Sequence, residues 1–251
     1  MTLNIKQMIK KAILYVAPML KIRTNLSPVK ARNILESYSA CPRGTCIADN
    51  LIEIKYDLHI IIPVYNAEKY LKSCIDSVLN QITHYKYLVT IINDGSTDNS
   101  GQILARILDD SRNKSNDGLV ICAGGGGYRV DVIFQQNNGF SGARNTGLKK
   151  IQGTYIMFLD SDDLIPEDAI ENMLNVAFKT QADIVQGSWL DFTNKTKVEH
   201  HTNYNGIINN SKGILSGFPW GKLYKHHVLE HFCFPEGFWY EDTPILFTGI
   251  D

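Results

Sequence analysis

The chain predicts an α/β fold, Rossmann-like, with a mostly parallel central sheet flanked by helices. Three observations carry that reading. Short apolar runs, each suited to a strand buried on both faces, alternate with segments of helical period from Leu58 onward. The joints between them are short, and strand–helix–strand units in one sheet close as right-handed crossovers with parallel strands. Polar residues gather where the apolar runs stop, the edge at which open parallel sheets hold ligands.

The 251 residues are 44% hydrophobic and 20% charged, enough for one large domain or two small ones with an ordinary core. Lys and Arg number 25 against 26 Asp and Glu, and the net charge of −1 excludes the basic footprint of a nucleic-acid binder. Cys41, Cys46, Cys74, Cys122 and Cys233 are scattered, with no CxxC pair and no His at zinc spacing. Free thiols in a reducing cytosol are therefore expected, with Cys74 in the core. No apolar run reaches the ~18 residues of a membrane span.

Residues 1–56 read as an N-terminal extension without a catalytic motif. Lys6, Lys10 and Lys11 precede Ala12-Ile13-Leu14-Tyr15-Val16-Ala17, and Lys21 and Arg23 follow without a small-residue cleavage site. Either a basic amphipathic helix on a membrane surface or a helix packed on the body fits this segment. Leu58-His59-Ile60-Ile61-Ile62 is a buried strand, ended by Pro63. Residues 67–81 put Leu71, Cys74, Ile75, Val78 and Leu79 on one helical face. Tyr87-Leu88-Val89-Thr90-Ile91-Ile92-Asn93 is the second strand, closed by Asp94-Gly95-Ser96. Thr97-Asp98-Asn99-Ser100 then starts a helix with Ile103, Leu104, Ile107 and Leu108 inward.

The order weakens over residues 109–129. Gly124-Gly125-Gly126-Gly127 lacks the Lys-Ser/Thr of a phosphate loop and reads as a mobile surface loop. Val130-Asp131-Val132-Ile133-Phe134 alternates like a strand. Ser141 is placed to N-cap a helix carrying Ala143, Leu148 and Ile151, and Arg144 within it suits a phosphate. Tyr155-Ile156-Met157-Phe158-Leu159 is the next strand. Pro166-Glu167-Asp168 opens a helix on Ile170, Leu174, Ala177 and Phe178. Residues 183–189 form a further strand, and residues 194–205 a polar loop.

The strand ending at Leu159 runs into Asp160-Ser161-Asp162-Asp163. Like charges this close repel, and a shared hard cation such as Mg2+ or Mn2+ would hold them together. A solvated acidic turn, with Asp163 capping the next helix, is the competing reading. The other strand ends contribute Tyr65-Asn66, Asp94 and Arg144-Asn145. An aromatic face suits a base, and a carboxylate accepts from a pyrimidine N–H or a ribose hydroxyl. Arg suits a diphosphate, and a carboxylate-bound divalent ion neutralises a leaving diphosphate.

Ile62-Pro63-Val64-Tyr65-Asn66, Asn93-Asp94-Gly95-Ser96-Thr97-Asp98, Asn138-Gly139 through Ala143-Arg144-Asn145-Thr146-Gly147, and Phe158-Leu159-Asp160-Ser161-Asp162-Asp163 resemble the motifs of the family 2 glycosyltransferases. These are inverting enzymes of the GT-A fold, many of which build bacterial surface polysaccharides. Trp220-Gly221-Lys222-Leu223-Tyr224 and Tyr240-Glu241-Asp242 resemble the family's acceptor-side segments.

The resemblance implies a GT-A domain over residues 57–251, with a nucleotide-sugar half at 57–165 and an acceptor half at 166–251. The chain stops nine residues after Asp242, so a C-terminal truncation is expected. The implied reaction is transfer from a nucleotide-sugar, with a UDP-sugar the expected donor, to a saccharide or lipid-linked saccharide acceptor. Mn2+ or Mg2+ is the implied cofactor. The implied place is the cytoplasm, at the inner face of the membrane if the N-terminal basic helix or the missing C-terminus makes contact there.

Residue by residue, the resemblance puts Pro63 and Tyr65 at the base, Tyr65 stacking, with Asn66 beside them. Asp94 holds the base and Asp98 shapes its loop. Arg144 lies near the diphosphate, Asp160 touches ribose or metal, and Asp162 is the metal ligand. Asp242 is the general base, and Trp220, Lys222, Trp239 and Glu241 face the acceptor. Two readings compete: a nucleotide-sugar-binding module without turnover, and a phosphotransferase with Asp160 as nucleophile and Asp162 as acid. Leu164 stands where the latter usually has Thr or Val.

Overall fold

A computed structural model describes residues 53–114, 119–192, 197–200, 218–229, 232–234 and 236. The basic N-terminal segment, Trp239, Glu241 and Asp242 lie outside the described residues. In chain order the strands are β1 (Tyr56–Val64), β2 (Lys86–Asp94), β3 (Val120–Ile121), β4 (Gly127–Gln135), β5 (Gly153–Phe158), β6 (Ile184–Gln186), β7 (Trp189–Phe192), β8 (Lys197–His200) and β9 (Lys222–Lys225). The helices are α1 (Leu71–Leu79), α2 (Ser100–Lys114), α3 (Gly139–Leu148), α4 (Ala169–Thr180) and α5 (His226–Leu229). One sheet runs in the order β3-β4-β2-β1-β5-β9-β6, and β7 and β8 form a separate hairpin. The strands β4, β2, β1 and β5 are parallel. Antiparallel strands close both edges.

The apolar runs lack alternation because helices cover both faces of the sheet. Side chains still divide by period two. Leu58, Ile60, Ile62 and Val64 of β1, Tyr87, Val89 and Ile91 of β2, and Tyr155 and Met157 of β5 pack with α1, α2 and α4. Ile61, Ile92, Ile156 and Phe158 point the other way, onto Ala143 and Leu148 of α3, Leu229 of α5, and Phe232 and Phe234. Each such aliphatic side chain, fully buried, contributes about 1.5–3 kcal/mol. A Cβ at Gly147 would lie 2.5 Å from Ile61 Cγ2, so this glycine lets α3 lie flat against β1. Among the described residues no helix is long and apolar enough to cross a membrane.

Several local expectations change. Strand β1 continues through Pro63 to Val64, in register with Ile92 and Asn93 of β2. The Ile61 carbonyl accepts from Leu159 N, so Pro63, two residues on, turns its missing N–H toward β5 beyond the last paired residue, Phe158. The glycine run is an ordered turn between β3 and β4. Gly126 N donates to Thr83 O at 3.0 Å, and a Cβ on Gly126 would collide with the Tyr85 carbonyl. Ser141 lies inside α3, whose N-cap position is Asn138, with no side-chain capping bond. Helix α1 begins at Leu71 rather than 67, and Ile151 is buried just beyond the exposed turn that follows α3. The strand expected over 183–189 breaks after β6, and β8 occupies part of the expected polar loop. Cys74 and Cys122 are free and buried, but Cys233 is disulfide-bonded, against the expectation of free thiols.

His59 is a polar residue in the middle of β1, fully buried. Its Nδ1 accepts from Gln152 N at 3.4 Å, so Nε2 carries the proton and donates to Thr90 Oγ1 at 2.7 Å. Burial lowers its pKa from 6.5 to about 3. The unfolded chain therefore takes up the proton first, and this residue's contribution is complete above pH 6.5 and lost as pH falls toward 3. The expected slope from His59 is about 1.4 kcal/mol per pH unit in that window. Urea unfolding at pH 7, 6 and 5 should show this acid weakening in the natural chain and a flatter profile in His59→Gln. An equal slope in both would exclude His59 as its source.

Candidate functional site

The chain leaves β1 toward β2 and β4 on one side and returns to β5 on the other, so the strand order reverses between β1 and β5. The crevice beyond the carboxyl ends of such strands is where open α/β sheets bind ligands. Tyr65, Asp94, Asp160 and Asp162 all follow or end strands at this edge.

Tyr65 is 42% exposed and stands at the rim. Pro63 is buried in β1 below it. Asn66 adopts φ 51°, tolerable for Asn in a turn. Its Oδ1 accepts from Thr97 N at 2.8 Å, and its own N–H donates to Ser96 Oγ at 3.1 Å. Asp98 accepts from Glu68 N and Ser100 N, while Glu68 accepts from Asn99 N and Nδ2. Burial disfavours the Asp98 carboxylate, but the bonds from Ser100 and Glu68 outweigh it and hold the pKa below its usual value. Asn66 and Asp98 thus knit the loop after β1 to the loop after β2 and fix the base of Tyr65.

Asp94 is 2% exposed. Its Oδ1 accepts from Gln135 Nε2 at 2.7 Å and from Asn138 N at 2.9 Å. Gln135 in turn accepts from Thr146 Oγ1 at 2.7 Å, so β4 and α3 with its N-cap residue hold this carboxylate in one orientation. Gln135 was not foreseen, because the predicted strand stopped at Phe134. The register Asp94↔Gln135 is the signal that would have found it.

Arg144, on α3, is 4% exposed, and its Nη2 donates to Asp160 Oδ1 at 2.8 Å. The Asp160 side chain keeps 31% exposure, and Cys74 Sγ donates to its carbonyl at 3.5 Å. Asp162 is exposed. Among the described residues no three His, Cys, Asp or Glu side chains converge as a metal cage. At phosphate sites one or two carboxylates hold Mg2+, and substrate phosphates and water complete the shell. The accessible carboxylates of Asp160 and Asp162 fit that partial donor set.

On the other side of β5, Trp220 bridges to Phe158, two residues before Asp160. Its ring stacks on Phe218 with centroids 4.8 Å apart and meets Trp189 edge-on at 5.9 Å; Trp189 stacks on His200. Lys222 is 1% exposed and its Nζ donates to Phe218 O. It is an interior group rather than a surface charge. Phe234 and Glu236 also bear on the site and were not singled out from the sequence; Asn145, which holds them, stands out there only as part of the Arg144-Asn145 cluster. Asn145 exchanges two bonds with the Phe234 backbone, at 2.9 and 2.8 Å, and reaches Glu236 Oε1 at 3.0 Å.

Asp163 is not the cap of α4, whose N-cap position is Asp168. Burial, then the charges of Asp160, Asp162 and Asp191, push its pKa from 3.8 to about 6. The folded chain therefore holds this proton where the unfolded chain has released it. The cost of the charge is absent below the unfolded value and complete above about 6. Asp163→Asn should raise stability at pH 8 by ~1 kcal/mol, after discounting for partial exposure. The gain should vanish near pH 4. Denaturant midpoints at the two pH values check this, and a gain independent of pH would contradict it.

The family model "Glycosyl transferase family 2" matches residues 59–231. A minor teichoic acid biosynthesis protein, GgaB of Bacillus subtilis, is 34% identical over 183 residues, covering 71% of this chain and 18% of that protein. The crystal structure of S. aureus TarS 1-349 in complex with UDP-GlcNAc superposes with a TM-score of 0.59 at 24% identity, covering 76% of this chain and 52% of that one. The mannosyltransferase PcManGT from Pyrobaculum calidifontis, in complex with GDP-Man and Mn2+, has a TM-score of 0.53 at 14% identity, covering 87% of this chain and 58% of that one. The chain spans 18% to 47% of the length of the first curated relatives it matches. The structural likeness establishes the GT-A fold. With the family's pattern running from β1 to the end of α5, the chain belongs to glycosyl transferase family 2.

Proposed function

We propose that this chain is the catalytic domain of an inverting glycosyltransferase of surface-polysaccharide synthesis. It takes a sugar from a UDP-sugar and joins it to a hydroxyl of a saccharide or lipid-linked saccharide. The observation that carries this is the gathering of Tyr65, Asp94, Asp160 and Asp162 at the one edge where β1 and β5 diverge. Residues 57–165 form the nucleotide half, and residues 166–251 the acceptor half. The likeness to a teichoic acid protein supports the polysaccharide setting, and the UDP-GlcNAc and Mn2+ complexes of fold neighbours support the donor class and the metal.

Tyr65 stacks on the base, and the carboxylate of Asp94, oriented by Gln135, accepts its N–H. Asp160 accepts from the ribose or joins Asp162 at the metal. A Mn2+ or Mg2+ ion held by Asp162 and Asp160, when bound, supplies positive charge against the departing diphosphate. Asp242 removes the proton of the acceptor hydroxyl as its oxygen attacks the anomeric carbon. The carbon–oxygen bond to the diphosphate breaks from the opposite side, so the single displacement inverts the centre. Trp220, Trp239 and Glu241 are assigned to recognition of the acceptor.

Two measurements test this. Calorimetry should detect UDP binding that strengthens with Mn2+; no binding, or binding indifferent to the metal, refutes the donor reading. Asp242→Asn should lower transfer by about 10² to 10⁴-fold with UDP affinity kept. Transfer at the original rate would remove Asp242 from the chemistry, and UDP binding without any transfer in the natural chain would leave a binding module.

A further inference from the structure

Arg144 has the surroundings of a held group rather than an open one. Its side chain is 5% exposed and lies between the Asp160 carboxylate and the ring of Phe234, whose centroid is 5.4 Å from the guanidinium carbon. Its Nη2 is committed to Asp160 Oδ1 at 2.8 Å, and almost none of the group faces solvent. Breaking that contact would leave an almost fully buried guanidinium without this carboxylate. Asp160 is the accessible member, with 31% of its side chain exposed.

The ring under Arg144 is itself held. Phe234 packs edge-on against Phe158 and Phe232. Its backbone N–H donates to Asn145 Oδ1, and its carbonyl accepts from Asn145 Nδ2. Asn145, 1% exposed, follows Arg144 directly on α3. Glu236 accepts from both Asn145 and Asn138. Phe234 and Glu236 are thus fastened to the helix that carries Arg144.

We propose that Arg144 is a positioning residue that acts through Asp160: it holds that carboxylate aimed at the nucleotide, and Phe234, fastened by Asn145, holds Arg144. This rests on the reading of Asp160 as a nucleotide or metal contact. Acting through Asp160, Arg144 should matter only while Asp160 can bind.

UDP affinity with Mn2+ is measured by calorimetry on the full chain for Arg144→Lys, Asp160→Asn and the double variant. With Asp160 present, Arg144→Lys should weaken binding about tenfold. With Asn at 160 the same change should cost less than about twofold, the non-additivity of residues acting as one unit. Phe234→Leu, which leaves both charges in place, should follow the same pattern and carries the test if Arg144→Lys does not fold. Equal losses in the two backgrounds overturn this proposal alone, whether Arg144 then touches the diphosphate or only stabilises the fold. If the natural chain binds no UDP, the donor reading falls, and this proposal with it.

Discussion

The constraint on which the rest depends is that β1 is paired on both edges and covered on both faces. Its ladders to β2 and β5 fill the backbone hydrogen bonds, and helices seal both sides. A strand so enclosed has no room for chemistry along its length. Its interior polar side chain, His59, is kept neutral and bonded to Thr90. Reactive groups can appear only where the strand lets go, and the order of neighbours decides where that is. The edge beyond β1 and β5 is that place, and the loops there are drawn together by Asn66, Asp98 and Glu68.

Charge management follows from the same enclosure. Three carboxylates crowd the end of β5, and the fold treats each differently. Asp160 receives a guanidinium, Asp162 is left in water, and Asp163 is buried enough that its proton is released late. The acidity that made this stretch conspicuous is therefore divided among three roles by surroundings alone.

The central strands were legible because their burial on both faces writes itself as unbroken apolar runs, and α1, α2 and α4 because their inner faces repeat at helical spacing. The site's main residues were legible as a series of polar clusters at strand ends. What escaped depends on partners far along the chain. Gln135 matters through its register with Asp94, and Phe234 and Glu236 through Asn145, 89 and 91 positions away. The glycine run looked mobile because its order comes from Thr83 and Tyr85, which no local pattern announces. Pro63 looked like a strand end because the gap in β5 that accommodates it is a property of a different strand.

The fastening of Phe234 to Asn145 bears on the timing of folding. The loops holding Tyr65 are joined by bonds spanning about 30 positions, and Arg144 meets Asp160 across 16. The ring that completes the enclosure of Arg144 comes 89 positions after Asn145. Contacts of such separation carry the larger closure entropy and form late. During synthesis, a ribosome that has released the chain only as far as α4 has delivered the whole edge beyond β1 and β5 and none of the residues that seal Arg144. Until residues 232–234 arrive, Arg144 can have Asp160 beside it but not the ring of Phe234.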